Sequence, residues 1–237
     1  MPFSSFGLFA RFSRLFSKLY NRRVAHRFSF PLNLFYLKRD NTRFKIDQVS
    51  YSGLLISKEE QAVEYFQSKS DVTAQLCFFN LTQDCLMHYV GLRPQGLAFR
   101  FIHADDSLLH FLRRLLEPIM VGQGLKADSG TLQSGSETIF ESEGRLRLIC
   151  KPSITGSPSL VRMEFGVGCH NVIDFGQEPV GLHLAKGEKP NRQQLLYAAI
   201  CYLVGAWETN LIPHLEVQIS HLFQDLIPED AEPELTV

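Results

Sequence analysis

Residues 43–56 read RFKIDQVSYSGLLI, and their pattern decides the fold class of the first half of the chain. Residues 43–49 alternate between polar and apolar side chains, residues 52–53 have turn composition, and residues 54–56 are apolar again. Alternation with a period of two is typical of a β-strand that buries one face. The segment is therefore predicted to form two strands joined by a tight turn.

Strand-like segments continue on both sides of this hairpin. Alternating or apolar runs occupy residues 28–36, 73–81, 85–92 and 97–102, and turn residues lie at 40–41, 82–84 and 93–96. Many short strands with closely spaced turns favour a small antiparallel β-barrel or sandwich. Ser57 and Glu60 have the spacing of a capping box, which predicts a short helix through about Phe66. A second helix is predicted from the cap residues Asp106 and Ser107 onward.

The second half of the chain repeats strands and helices in another order. Residues 121–136 are rich in Gly, Ser and Thr, which predicts a linker. Strand-like runs follow at 137–140, 146–151, 160–165, 171–175 and 180–184, and two helices are predicted from about residues 191 and 213. The predicted fold class is α+β: a small antiparallel β-barrel with flanking helices, followed by a second α+β domain.

These patterns give a domain organisation in five parts. The predicted parts are an amphipathic basic helix (1–20), the β-barrel domain (21–120), a linker (121–136), a C-terminal α+β domain of unknown role (137–227) and an acidic tail (228–237). In residues 5–20 aromatic and basic side chains recur at helical spacing. Such a helix docks on its own protein, lies on a membrane surface or binds a partner, and the sequence leaves these three open.

Composition narrows the class of protein. Of the 237 residues, 45% are hydrophobic and 21% charged, which is typical of a globular protein. The net charge of −1 gives no reason to expect DNA or RNA as a partner. Five scattered cysteines without a CxxC pair indicate reduced thiols in a cytoplasmic protein, and neither a disulfide framework nor a metal site is expected. No run reaches the roughly 18 apolar residues of a membrane span, although contact with the inner-membrane surface through residues 5–20 stays an alternative.

Two short motifs suggest ligand binding. Arg23 and Arg27 form an Arg-x-x-x-Arg spacing just before the first predicted strand, with Arg22 beside them. About twenty residues later, Gln48, Ser50 and Gly53 follow one another at the predicted strand–turn–strand junction. Guanidinium groups bind phosphates and match the O6 and N7 acceptors of guanine. The serine hydroxyl adds a hydrogen-bonding group, and we expect Gly53 to adopt a backbone conformation closed to other residues.

In this order and context the motifs resemble those of the PilZ domain family over roughly residues 20–120. The family signature is an RxxxR arm, a strand, and then [D/N]-x-S-x-x-G at the rim of a small barrel. The resemblance implies that the ligand is cyclic di-GMP and that no further cofactor is needed. It also implies that Arg22, Arg23, Arg27, Gln48, Ser50 and Gly53 bind this ligand. The sequence departs from the signature at Gln48, where the family has Asp or Asn.

The expected function is that of a receptor rather than an enzyme. The sequence contains no Walker A loop, no GxGxxG and no GxSxG motif. The resemblance implies that ligand binding orders the Arg-rich arm. This ordering would signal the concentration of the second messenger to an unidentified protein partner. The alternative is a PilZ-like scaffold without nucleotide binding, acting through protein–protein contacts in motility or pilus assembly; Gln48 favours that alternative.

Overall fold

The computed structural model describes residues 28–29, 35–67, 70–79, 81–128, 137–152, 158–175, 181–183 and 192–224. Over these residues it confirms an α+β protein with a closed six-stranded antiparallel barrel, four helices and a second sheet. The chain divides into two compact units, Met1–Arg113 and Arg114–Val237, and each is described by itself. The helix predicted within residues 1–20 and the acidic tail at 228–237 lie outside the described residues.

In its described residues the first unit contains seven strands, one short helix and the first turns of a longer helix. The strands are β1 (Phe28–Ser29), β2 (Phe35–Arg39), β3 (Thr42–Ser50), β4 (Gly53–Ile56), β5 (Asp71–Phe78), β6 (Leu81–Arg93) and β7 (Gly96–Phe101), and α1 (Glu60–Phe66) follows β4. Their order in the sheet is β1-β3-β2-β5-β6-β7-β4. A further pairing of β3 with β4 joins the two sides of this sheet, so β2 to β7 form a closed barrel.

Strand β3 closes the barrel because it is long and bent. Its first half pairs with β2, where Lys45 lies opposite Tyr36, and its second half pairs with β4, where Ser50 lies opposite Gly53. The register shifts between Ile46 and Gln48, which is a β-bulge. A bulge bends a strand and increases its twist, so this irregularity helps the sheet to curl onto itself.

Large apolar side chains fill the barrel. Fully buried residues include Phe35, Leu37, Phe44, Ile46, Phe66, Leu76, Phe78, Met87 and Leu97. The ring of Phe66 on α1 packs against Phe44 and Phe99, with centroid distances of 4.8 and 5.0 Å. Helix α1 is therefore held on the barrel by aromatic contacts, each of which adds roughly 0.5–1.5 kcal/mol beyond area burial.

Helix α2 (Asp106–Gln123) contains the division between the units, at Arg113/Arg114. Its first turn is capped by Asp105, whose Oδ1 accepts a hydrogen bond of 2.8 Å from the backbone N–H of Leu108. The cap therefore lies one residue before the predicted Asp106. In the first unit Phe111 lies 6.5 Å from Phe35, centroid to centroid.

The second unit is a six-stranded antiparallel sheet with helices. Its elements are β8 (Lys126–Ala127), β9 (Thr138–Ser142), β10 (Leu146–Pro152), β11 (Pro158–Phe165), β12 (Asn171–Asp174), β13 (Gly181–His183), α3 (Arg192–Glu208) and α4 (Leu215–Gln224). The strand order β13-β12-β11-β10-β9-β8 follows the sequence, so the sheet is a meander. Helix α3 is buried over most of its length, and Tyr202 packs on Phe165 of the sheet at 5.9 Å. None of the helices in the described part of the chain has the length and apolar composition of a membrane span.

The structure corrects several local predictions. The predicted capping box is wrong: Glu59 precedes α1 without a side-chain cap, and Ser57 donates a 2.7 Å hydrogen bond to Asp47 instead. The predicted turn at residues 82–84 lies inside β6, where it pairs with β5, and the chain reverses at Phe79 with a positive φ. At residues 82–84 pairing with β5 prevailed over local propensity.

Two predicted segments differ in extent from the elements of the structure. The strand predicted at residues 28–36 is described as β1 and the start of β2, with residues 30–34 outside the described part. The segment predicted as a linker, 121–136, includes the end of α2 and all of β8, and residues 129–136 are outside the described part.

Candidate functional site

The turn between β3 and β4 is organised by the hydroxyl group of Ser50. Ser50 Oγ donates a 3.2 Å hydrogen bond to the carbonyl oxygen of Gly53 and accepts one of 3.3 Å from the backbone N–H of Ser52. The Ser52 hydroxyl lies 3.2 Å from the same oxygen. Ser50 is one of the few buried polar residues, with 7% of its surface exposed. The hydroxyl thus satisfies buried main-chain groups and fixes the turn.

Gly53 is required for a different reason from the one predicted. Its φ is not positive, so the expectation of a backbone conformation closed to other residues is wrong. Instead, a Cβ on residue 53 would overlap the carbonyl oxygen of Phe99 and lie 3.0 Å from Cα of Arg100. The absence of a side chain lets β4 approach β7 closely at the end of the strand pair.

A groove of about 790 Å³ begins at this turn and extends across four strands. Its lining is drawn from β3, β4, β6, β7 and the turns that join β3 to β4 and β6 to β7: Gln48, Val49, Ser50, Ser52, Gly53, Leu54, Leu55, Val90, Arg93, Gln95, Ala98, Phe99 and Arg100. Phe99 packs into the barrel core against Phe66. Since successive side chains of a strand point to opposite faces, Ala98 and Arg100 point outward. The groove therefore lies on the outer face of the barrel.

The strand register arranges the outward residues in cross-strand rows. One row runs from Gln48 through Leu55 and Ala98 to Gly91, and the next runs from Ser50 through Gly53 and Arg100 to His88. Gly53 and Ala98, which line the groove, contribute little or no side chain to these rows, whereas Gln48 and Arg100 carry long polar side chains. The groove therefore offers hydrogen-bonding groups beside small residues.

Two arginines give the groove its charge. Arg93 and Arg100 are exposed, and neither forms an ion pair within the described residues. The only ionisable outward neighbour of Arg100 in its row is His88, which contacts Asp71 at 2.8 Å. Uncompensated guanidinium groups attract anions, and phosphates above all, because their planar donors match two phosphate oxygens. The groove is therefore suited to an anionic ligand of nucleotide size.

The structure brings together only part of the residue set predicted from the sequence. Gln48, Ser50 and Gly53 line one groove, whereas Arg22, Arg23 and Arg27 lie outside the described residues. Sequence reasoning missed Arg93, Gln95 and Arg100. A signal for Arg93 existed: a two-residue turn at Pro94–Gln95 puts Arg93 opposite Gly96, on the same face as Arg100.

One apolar side chain of β6 lines the groove. It is Val90, which is 48% exposed. The register between β6 and β7 shifts between Tyr89 and Gly91, so Val90 occupies the bulge. Bulges commonly direct a side chain toward a site.

Titratable groups in the rest of the described chain are dispersed or buried. Within the described ranges no group of three or more His, Cys, Asp and Glu side chains is arranged to hold a metal ion. Burial raises the pKa of the thiols of Cys85 and Cys150 to about 12, so both are neutral at physiological pH. His170 follows Cys169, a half-buried thiol whose pKa is also raised by desolvation.

Comparison with known proteins gives no family. No protein-family model matches the sequence, and no curated protein matches it. Among solved structures the chain is similar to an uncharacterized protein from Legionella, with 16% sequence identity and a TM-score of 0.33. The alignment covers 39% of this chain and 95% of the Legionella chain. At this TM-score the likeness does not define a shared fold.

Proposed function

We propose that the chain is a PilZ-like receptor for the bacterial second messenger cyclic di-GMP and that the groove forms part of its binding surface. One observation carries the proposal: Gln48, Ser50 and Gly53, the motif residues, line the same groove as the uncompensated Arg93 and Arg100. Residues 45 positions apart in sequence thus contribute to one surface with the chemistry of a nucleotide site.

The groove suits the ligand in size and in hydrogen-bonding groups. Cyclic di-GMP has two phosphates and two guanines, and guanidinium groups bind both kinds of group. A volume of about 790 Å³ lies within the roughly 300–1,000 Å³ of ordinary ligand pockets. Apolar surface at Leu55, Ala98 and Val90 offers contact for the faces of purine rings.

Strand β1 supports a role for the arginine arm. Its two residues pair with β3 at the motif itself, Ser29 opposite Gln48 and Phe28 opposite Val49. Arg27 directly precedes Phe28 in sequence, so the segment that carries Arg23 and Arg27 is covalently attached beside the groove. On this proposal the arm closes over the bound ligand, and its ordering signals to an unidentified protein partner.

Isothermal titration with cyclic di-GMP tests the proposal. We expect the wild-type protein to bind with micromolar or lower Kd, an Arg23→Ala/Arg27→Ala double variant to lose most of this affinity, and Arg100→Ala to weaken it at least tenfold. Lys58→Ala is the matched control, because Lys58 is an exposed cation outside the groove. Absence of binding by folded wild-type protein would reject the receptor function.

A scaffold without nucleotide binding is the second candidate. Gln48 favours it, and so do the exposed apolar side chains of Leu86, Val90 and Leu92 on β6, which are typical of a protein–protein contact. This candidate predicts no heat of binding with cyclic di-GMP. It also predicts that Val90→Ser/Leu92→Ser abolishes partner binding while Arg100→Ala does not.

A further inference from the structure

Four side chains of the groove have no partner within the described residues. They are the amides of Gln48 and Gln95 and the guanidinium groups of Arg93 and Arg100. Gln48 is only partly exposed, and its amide still forms no hydrogen bond in that part of the chain. A partly desolvated amide without partners leaves a donor and an acceptor available to a ligand.

Amide and guanidinium groups form hydrogen bonds with different purine bases. A guanidinium has donors only, so it matches two adjacent acceptors, as in O6 and N7 of guanine. A glutamine amide has one donor group and one acceptor, so it matches N7 and the N6 amino group of adenine. A guanine at Gln48 would accept one hydrogen bond from the amide nitrogen, at O6 or N7. The amide oxygen would then face the second guanine acceptor and remain unpaired.

The positions of Gln48 and Arg100 allow these two groups to contact different bases. Gln48 is on β3 and Arg100 on β7, with β4 between them. Two strand spacings of about 4.8 Å and an offset of two residues separate their Cα atoms by roughly 12 Å. This separation leaves room for one base beside each side chain.

We infer that the groove accepts a cyclic dinucleotide with one adenine and one guanine, with the adenine at Gln48 and the guanine at the arginine side. The inference rests on the cyclic-dinucleotide site proposed above and adds the identity of the second base. Its chemistry is non-covalent: the Gln48 amide oxygen accepts from the adenine N6 amino group, and the amide nitrogen donates to N7.

The test is a titration of the full chain with three ligands: cyclic di-GMP, 3′,3′-cyclic GMP–AMP and cyclic di-AMP. We expect the mixed ligand to bind at least as tightly as cyclic di-GMP. Gln48→Met keeps the length of the side chain but removes both the donor and the acceptor, so an adenine at this position loses two hydrogen bonds and a guanine only one. We expect it to shift the affinity ratio toward cyclic di-GMP by about 5- to 150-fold. Gln61→Met on the exposed face of α1 is the control, since it makes the same substitution outside the groove and should leave the ratio unchanged.

The outcomes separate this inference from the function on which it rests. If cyclic di-GMP binds more than tenfold tighter than the mixed ligand, the adenine site is rejected and the receptor function stands. An unchanged ratio in Gln48→Met also rejects it. If folded wild-type protein binds none of the three ligands, the receptor function and the adenine site are both rejected. Thermal unfolding of each variant establishes that the compared proteins are folded.

Discussion

Gly53 and Phe99 lie with their main chains so close that no side chain fits at residue 53: a Cβ there would overlap the Phe99 carbonyl oxygen. The other end of the same strand pair has a matching contact, because a Cβ on Gly96 would overlap the carbonyl oxygen of Ile56. A glycine at each end thus allows β4 and β7 to pair tightly. This pairing forms the floor of the groove.

The first prediction concerns Gly53→Ala. The added methyl group forces β4 away from β7, and overpacking of this kind costs typically about 1–3 kcal/mol. We expect the free energy of unfolding from urea titration to fall by an amount at the upper end of that range. The control is Ser52→Ala, an exposed turn residue whose replacement should cost about 0.5 kcal/mol or less. Equal stabilities of the two variants would contradict the close approach.

The hairpin at residues 43–56 shows what the sequence could predict. Residues 43–49 alternate and form most of β3, and residues 54–56 lie in β4, so the strands and their turn follow from local pattern. Closure of the barrel does not follow from the local pattern. It depends on β3 pairing with β2 over one half and with β4 over the other, and the bulge that permits this lies at Asp47, a residue without a distinctive local signal.

The second prediction is that Ser50→Ala destabilises the barrel through the turn. The hydroxyl donates to the Gly53 carbonyl and accepts from the Ser52 N–H, and alanine leaves both groups without it. Loss of a buried hydrogen-bonding group costs about 1–3 kcal/mol. Urea titration measures this loss, and Ser50→Thr, which retains the hydroxyl, should recover part of it. A variant as stable as wild type would show that the hydroxyl does not hold the turn.

The groove itself could be predicted only in part. The motif at Gln48 to Gly53 is local, so the sequence reveals it. Arg93 and Arg100 are found only once the pairing of β6 with β7 and of β7 with β4 is known, because these pairings bring their side chains to the face of Gln48. Single arginines carry no such information by themselves.

The third prediction separates stability from binding at these arginines. Arg93→Ala and Arg100→Ala remove exposed side chains without an ion pair in the described part of the chain, so each should change the unfolding free energy by about 0.5 kcal/mol or less. Affinity for the anionic ligand should fall, and its dependence on salt concentration should become weaker because one attractive charge is lost. Titrations at two salt concentrations measure both effects. An unchanged affinity in both variants would place the ligand elsewhere.

The fourth prediction concerns two glycines where α2 and α3 cross. A Cβ on Gly122 would overlap the carbonyl oxygen of Tyr202, and one on Gly205 would overlap that of Ile119. In an exposed helix Gly→Ala stabilises by roughly 1 kcal/mol. Here we expect the opposite sign, a loss of about 1–3 kcal/mol for either variant. The Tm from thermal unfolding tests the sign of the change, and a raised Tm would mean that α2 and α3 do not approach so closely.

The fifth prediction is a loss of stability in alkali through Cys150. Burial raises its thiol pKa from the ordinary value of 9.0 to about 12. Between pH 9 and 12 the unfolded chain therefore binds fewer protons than the folded one at this residue, and stability falls as pH rises, by up to about 1.4 kcal/mol per pH unit. Below pH 9 the thiol is neutral in both states and contributes no slope.

Urea titrations from pH 8 to pH 11 on wild type and Cys150→Ala measure this effect by difference. The variant should be less stable at neutral pH, because it leaves a small cavity, but its stability should decline less steeply above pH 9. Cys169→Ala is the control, since Cys169 is only half-buried and its removal should change the slope less. Parallel pH profiles for wild type and Cys150→Ala would mean that the thiol reaches water before the chain unfolds.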